Sequence, residues 1–268
     1  MQNDDATDRP QSSAQPWRTL LLLALVLGGC MWAERPDGRL HIWFLDTSGD
    51  AALIQTPDGQ FALIDGGSDP AQLALLLGRY MPAYQRRLAL VVLTSGDAKR
   101  LPGQVAALGR YHAKRALAPE TPGTAIADEW QRLLVEQGSV VRIAEAGDSV
   151  TLGGVRFLVP AVTGGKKAQL ALQLDYGHTH VLWHTSGAKL DPDLLASASP
   201  LSVLVYPWQR ELETELLARW QPQHLVFSSA YSADEPALLS YAQRRQFARR
   251  STTTRTTARS SLSAMGQP

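Results

Sequence analysis

The chain has 268 residues, 26 Lys+Arg against 25 Asp+Glu, and a single cysteine. That length suits one domain of about 200 residues with extensions, enough to bury a substantial core. A formal net charge of +1 gives no sign of a polyionic partner, and one cysteine excludes an intrachain disulfide framework and a Cys-rich zinc module.

Residues 1–16 are polar, rich in Pro, Ser, Gln and Asp, and are expected to be disordered. Trp17 and Arg18 then lead into TLLLLALVLGGCMWA, an apolar run ending at Ala33. As a helix its roughly fifteen residues reach about 22 Å, short of a ~30 Å hydrocarbon core. Trp17 and Trp32 bracket the run as interfacial aromatics do, and no polar face interrupts Leu20 to Leu27. Residues 17–33 therefore read as a transmembrane anchor or signal segment, with a buried soluble helix as the alternative. Leu27-Gly28-Gly29-Cys30 also resembles a bacterial lipobox, which would make Cys30 a lipidation site. Against a cleaved signal, Asp4, Asp5 and Asp8 outweigh Arg9 and Arg18. An uncleaved anchor is preferred, with a lipoprotein or secreted form as alternatives.

Residues 34–39 are a polar linker, and a folded domain is expected over 40–245. LHIWFL, AALIQT and FALID read as three strands, the last two joined by Pro57-Asp58-Gly59. A helix follows from Asp69 to Tyr80. Leu88, Leu90, Val91, Val92 and Leu93 form a short buried strand that ends in the polar loop Thr94 to Gly103. Pro102 then opens a helix through Val105, Leu108 and Tyr111. The pattern continues with a strand at Arg115–Ala118, a helix near Ala125 to Gln137 burying Ile126, Leu133 and Leu134, and a strand at Val140–Ile143. Hairpins run through Val159, punctuated by Gly147-Asp148 and Gly153-Gly154, and then from Leu170–Leu174 to Thr179–His184 around Tyr176-Gly177. Strand and helix alternate after that: Leu201–Tyr206, Glu211–Trp220, His224–Ser228 and Glu235–Arg245. Residues 246–268, rich in Ser, Thr and Arg, read as a disordered basic tail. Strands first paired and then alternating with helices, twice over, predict an α/β four-layer αββα sandwich.

Three motifs carry a family resemblance. Phe44-Leu45-Asp46-Thr47-Ser48-Gly49-Asp50-Ala51 opens the domain, Ile64-Asp65-Gly66-Gly67 makes a turn, and Thr94-Ser95-Gly96-Asp97-Ala98-Lys99-Arg100-Leu101-Pro102-Gly103 follows the buried strand. Together they resemble the metallo-β-lactamase-fold domain of ComEC-type competence proteins, the DNA-uptake channel family, over about Leu40 to Arg245. In that family the third motif runs Thr-His-Pro-Asp-x-Asp-His-x-x-Gly and supplies metal ligands. By the resemblance, the former metal-loop positions here are Ser95, Asp97, Lys99 and Arg100, of which Asp97 alone keeps the family residue. Further ligand segments of the family correspond to Thr185-Ser186-Gly187 (or His184-Thr185-Ser186 if shifted by one), where neither register supplies the family's carboxylate, and to Pro207-Trp208-Gln209-Arg210 and Tyr231 to Pro236, which contain no histidine. Cations at two ligand positions oppose a divalent ion. The resemblance therefore implies a catalytically inactive, membrane-associated relative with no metal or other cofactor, its domain outside the cytoplasm.

Three other readings of the residues stay open. Lys99 or Arg100 can pair with Asp97 or Asp65 and fill the former metal cleft. Alternatively Lys99, Arg100, Lys166, Lys167 and Arg210, which the resemblance gathers around that cleft, can bind DNA or a phosphorylated ligand. A hydrolase with an altered site would have to use Asp50, Asp65 and Asp97. His178, His180 and His184 lie on one face of one strand, yet the first and third are about 20 Å apart by strand rise and cannot share an ion. Ser95 has no histidine near it in sequence to serve as its base. The residues name no protein partner.

Overall fold

In the central strands alternate residues go to opposite sides of a sheet and both sides are apolar, as in Ala51–Ile54, Phe61–Ile64 and Leu90–Val92, while the edge strand Val140–Ile143 is exposed. That pattern requires each sheet to be covered twice. The structure, a computed structural model, describes residue 17, residues 20–21, 36–165, 167–184, 190, 200–207, 217, 220–228, 250–253 and 261–264.

The chain divides into two units, Met1–Arg35 and Pro36–Pro268. In the first, Trp17, Leu20 and Leu21 are helical and exposed. No helix among the described residues is long and apolar enough to cross a membrane. Most of 17–33, including Cys30, lies outside the described residues.

The second unit contains two seven-stranded sheets. The first is built from β1 (Leu40–Phe44), β2 (Ala51–Gln55), β3 (Phe61–Asp65), β5 (Leu90–Val92), β7 (Arg115–Ala118) and β8 (Val140–Ile143), with β16 (Ser261–Ala264) outside β1. β1, β2 and β3 pair antiparallel, while β3, β5, β7 and β8 run parallel. The second sheet has the order β15 (Arg250–Thr253), β14 (His224–Ser228), β13 (Val203–Pro207), β12 (Thr179–Trp183), β11 (Gln169–Tyr176), β10 (Val155–Thr163) and β9 (Ser149–Leu152). It repeats the plan, with antiparallel hairpins from β9 to β12 and parallel strands from β12 to β15. A two-stranded parallel sheet, β4 (Arg87–Leu88) with β6 (His112–Ala113), stands apart.

Between the sheets, Ile42, Ile54, Ile64 and Val92 meet Phe157, Leu172, Val181 and Val205. The opposite faces take the neighbouring residues. Leu53, Leu63 and Val91 pack on α1 (Pro70–Tyr80), α2 (Leu101–Leu108) and α3 (Ala125–Glu136) through Leu73, Leu101, Trp130 and Leu134. On the far side Leu182, Leu204 and Leu225 pack on Leu217 and Trp220, both helical. Helices on the outer faces of two stacked sheets make the αββα sandwich.

Local differences from the sequence reading have physical causes. The buried strand expected from Leu88 to Leu93 splits, because Leu88 pairs with Ala113 while Leu90–Val92 pair with β3 and β7. α2 stops at Leu108 rather than Tyr111, with Gly109 as its cap. α3 buries Ala127, Trp130 and Leu134 and leaves Ile126 36% exposed, so its inward stripe starts one residue later than expected. The tail expected to be disordered supplies β15 and β16, one to each sheet. Ser- and Thr-rich segments with no apolar period can still form edge strands, where main-chain pairing and β-branched Thr suffice. The helix expected at Glu235–Arg245 lies outside the described residues.

Candidate functional site: a guanidinium held among carboxylates

The parallel strands of the first sheet end in loops, the usual place for chemistry in α/β folds. Asp65 closes β3 with φ 53°, a left-handed conformation that a non-glycine residue adopts only when held. The hold is Thr94, just beyond β5. Its N–H donates to Asp65 Oδ1 at 2.7 Å and its hydroxyl pairs with Oδ2 at 2.6 Å. Gly66 and Gly67 carry the chain away at a place with no room for a side chain. A Cβ on Gly66 would lie 2.1 Å from the Gln104 nitrogen. The main chain of the Asp65-Gly66-Gly67 turn thus touches the first turn of α2, and Gly103 N donates to Gly67 O at 3.0 Å. That contact sets where α2 begins, and so where Arg100, its N-cap, stands.

Arg100 is 3% exposed. Its Nη2 lies 3.0 Å from Asp50 Oδ2, its Nε 3.6 Å from Asp65 Oδ2, and its Nη1 pairs with Asp97 Oδ2. Three carboxylates, one from the end of β3 and two from loops, therefore surround one guanidinium. Asp50 is held from the second sheet as well, where Ser228 Oγ donates to Oδ2 at 2.5 Å. Asp97 Oδ1 accepts the Lys99 N–H at 2.8 Å, bending the loop back on itself. Burial works against the charge of Arg100, but Asp50, Asp65 and Asp97 outweigh it and hold the guanidinium above its ordinary value. Burial pushes the Asp65 carboxyl up to about 7; Arg100 and the Thr94 hydrogen bonds pull the other way, and Asp50 adds to the rise.

The other candidate residues fall in several places. Ser95 is buried and makes an isolated bridge to Gln169, with Leu170 N donating to Thr94 O at 2.9 Å. It links the loop to β11 through the main chain. Lys99 is half-buried and Lys167 is exposed. Lys166, Arg210 and the segments Thr185–Gly187 and 208–210 lie outside the described residues. His180 Nδ1 is 2.8 Å from Asp175 Oδ1, His178 is exposed, and His184 is buried against Tyr206 and Trp220. Burial lowers His184 to about 4, and its Nδ1 has no hydrogen-bond partner. The histidines thus serve different surroundings, and among the described residues no three His, Cys, Asp or Glu side chains form a metal-binding group.

Sequence reasoning missed two supports. Ser228 is 178 residues from Asp50, and no local pattern reports such a contact. Gln104, fully buried, donates to Val92 O at 2.7 Å and accepts from Trp130 Nε1 at 3.0 Å, tying α2 to β5 and α3. A Gln inside an apolar helical stripe was the available signal.

No protein-family model and no curated protein matches the chain. Solved structures do match. The metallo-β-lactamase-fold protein YhfI from Bacillus subtilis aligns with a TM-score of 0.56 at 12% identity, over 80% of this chain and 95% of that one. Zn2+-bound PqqB from Methylobacterium extorquens aligns at 0.54 and 13%, over 81% and 87%. CmlA, a diiron β-hydroxylase from Streptomyces venezuelae, aligns at 0.51 and 10%, over 81% of this chain and 53% of its own. The chain has the metallo-β-lactamase fold.

Metal centres occur in that fold, so the residues around Arg100 must be tested as a metal site. They do not fit one. Among the described residues the nearby donors are carboxylates without histidine or cysteine, whereas zinc sites draw chiefly on His and Cys with Asp or Glu. The space between these carboxylates is filled by a guanidinium with hydrogen bonds to Asp50 and Asp97. A divalent ion placed there would face a fixed positive charge within a few ångströms in a poorly screened interior.

Proposed function

We propose that this is a catalytically inactive protein of the metallo-β-lactamase fold, related to the soluble domain of ComEC-type competence proteins. We place it at a membrane through residues 17–33, with the folded domain outside the cytoplasm. The observation that carries the inactivity is the buried Arg100 guanidinium bracketed by Asp50, Asp65 and Asp97. Internal charge does there what a bound cation would do electrostatically. It holds the loops together, but it activates no water, because a guanidinium cannot lower the pKa of a coordinated water as a metal does. The motifs around Asp50, Asp65 and Asp97 support the kinship, and the apolar run from Thr19 to Ala33 supports the anchor.

Anion binding in the same cleft gains nothing from this geometry. Arg100 is buried and committed to carboxylates, and the surrounding aspartates repel phosphate. The altered hydrolase reading meets the same obstacle, since its three aspartates are the partners of Arg100.

The test is elemental analysis of the purified full-length chain together with phosphodiesterase and β-lactamase assays. Metal well below one equivalent and no turnover are expected. One zinc or manganese per chain, lost together with activity on chelation, would overturn the proposal. For the anchor, the full-length protein is expected in the membrane fraction, and its intact recovery from the soluble cytoplasmic fraction would count against it. If the lipoprotein form is the true one, Cys30→Ser will abolish acyl labelling and amino-terminal processing.

A further inference from the structure

A cleft of about 590 Å³ opens at the amino ends of β3, β5 and β7. Asp65 and Phe61 mark the two ends of β3, so four strand steps of about 3.3 Å separate this cleft from the Arg100 site by roughly 13 Å. The volume falls within the range of small-molecule sites, about 300–1,000 Å³. Phe61 and Leu88, both buried, contribute apolar lining; Arg86, Arg87, His112 and Lys114 contribute polar and charged lining.

Among the described residues the lining includes no carboxylate. Arg86, Arg87 and Lys114 are exposed, and none has a salt bridge among the described residues. Exposed arginines elsewhere are of both kinds: Arg132 pairs with Glu129 and Glu136 and Arg142 with Asp148, while Arg79, Arg110 and Arg156 have no salt bridge among the described residues, so what marks the cleft is the grouping of its cations. The backbone fixes how the cations are grouped. Arg87 and His112 stand opposite each other in the β4–β6 pair, and Lys114, the bend residue between β6 and β7, lines the same cleft. Both segments are tied together, with His112 N donating to Arg86 O at 2.8 Å and Lys114 N to Leu88 O at 2.9 Å. Arg86 is steadied over the Tyr111 ring, 5.7 Å from its centroid. His112 Nε2 lies 2.8 Å from the Gln137 carbonyl oxygen, which can only accept, so this nitrogen carries a proton and the ring is tied to the residue that ends α3.

We propose that this cleft binds a small organic anion, a phosphate or sulfonate head group on a flat apolar body. The head group lies among Arg86, Arg87 and Lys114, where guanidinium and ammonium donors match its oxygens. The apolar body lies over Ala89, which is half-buried, and along the aliphatic stems of the cations. Like charges grouped without a counter-charge repel one another, and a bound anion relieves that repulsion. Because the cations are exposed, the gain is screened by salt. This site is independent of the Arg100 cage, and an active cage would leave it standing.

The experiment is isothermal titration calorimetry of the full-length chain with 1-naphthyl phosphate, 1-naphthol and inorganic phosphate. One site for 1-naphthyl phosphate with Kd below about 1 mM is expected, with both other probes at least about tenfold weaker, a difference of about 1.4 kcal/mol. Raising the ionic strength from about 0.01 M to about 0.15 M, which shortens the Debye length from ~30 Å to ~8 Å, should weaken binding several-fold. Arg87→Ala/Lys114→Ala should cost at least about tenfold, and Arg132→Ala, outside the lining and already paired, should leave binding unchanged. Wild-type affinity in the double variant overturns the proposal, and it also exposes binding to the apolar amino-terminal run. No binding by the wild-type chain, or equal affinity for inorganic phosphate, overturns it too.

Discussion

The two ends of the parallel strands in the first sheet handle positive charge in opposite ways. At the carboxyl ends, one guanidinium is buried and surrounded by three carboxylates. At the amino ends, Arg86, Arg87 and Lys114 stay exposed around a cleft with no carboxylate in its lining among the described residues. A buried charge must be matched by the protein itself, whereas an exposed one can be matched by water or by something that arrives. The first arrangement therefore belongs to the architecture, and the second is open to a ligand. Substitutions at the two ends should differ by several kcal/mol in their effect on stability.

The largest expected effect is at Arg100. Arg100→Ala leaves Asp50 and Asp65 buried without their counter-charge, and breaking a buried ion pair in this way costs about 3–5 kcal/mol. The urea midpoint should fall steeply, if the variant folds at all. Arg100→Met combined with Asp50→Asn, Asp65→Asn and Asp97→Asn removes both signs of charge and should recover at least half of that loss. An unchanged midpoint in Arg100→Ala would mean that the carboxylates are not held by the guanidinium, and the contrast between the two ends would collapse.

Next in size is a pH effect with two opposing parts. His184 is lowered to about 4 from an ordinary 6.5. Between these values the unfolded chain binds the proton and the folded chain does not, so its stabilising contribution, present above pH 6.5, is lost as pH falls through 4. The full loss is on the order of 3 kcal/mol, from 1.36 kcal/mol per unit. Asp65 is raised to about 7 from 3.8, so its contribution is complete below 3.8 and is lost as pH rises through 7. The two slopes oppose each other between about pH 4 and 6.5. Wild-type stability should therefore be nearly flat there in urea titrations. His184→Phe should make stability fall with rising pH, and Asp65→Asn should make it rise. Parallel profiles for both variants would refute this assignment.

Much of the fold could be read from the sequence because burial on both faces leaves a plain record. Apolar runs such as Phe61–Ile64 and Leu90–Leu93 with glycine or polar breaks announce parallel strands, and helices follow them at the expected spacing. The turn Asp65-Gly66-Gly67 and the loop after Thr94 were visible as strand-end motifs. The full cage was not. Pairing of Arg100 with Asp97 or Asp65 is a local guess, but Asp50 and Ser228 reach the site from 50 residues before Arg100 and from the other sheet. The tail strands were invisible because Ser and Thr pairing through the main chain leaves no apolar period. The basic cleft was invisible for a related reason. Its cations come from two short segments whose partnership depends on the β4–β6 register, and no single window of sequence contains it.

A smaller change tests how the cage is carried. Gln104→Leu removes the acceptor for Trp130 Nε1 and the donor to Val92 O, both fully buried. Two unsatisfied groups at about 1–3 kcal/mol each, partly offset by the apolar replacement, place the net loss at about 2 kcal/mol. Hydrogen exchange should speed up in α2 and α3 more than in the second sheet. A uniform change across both sheets would show that Gln104 supports the whole fold rather than the seat of Arg100.

The smallest expected effect is at the opposite end of the strands. Arg87→Ala/Lys114→Ala removes two exposed charges that make no ion pair among the described residues. Surface substitutions of this kind stay within about 0.5 kcal/mol of wild type. Here the sign is also set: relief of repulsion among grouped cations favours the folded state, so the urea midpoint should stay level or rise slightly at low salt and match wild type at high salt. A loss above about 1 kcal/mol would show that these side chains hold the β4–β6 pair together, and the cations would then be structural. A level midpoint, together with lost binding of 1-naphthyl phosphate, separates the ends of the strands cleanly. Charge at the carboxyl ends is then required to fold, and charge at the amino ends only to bind.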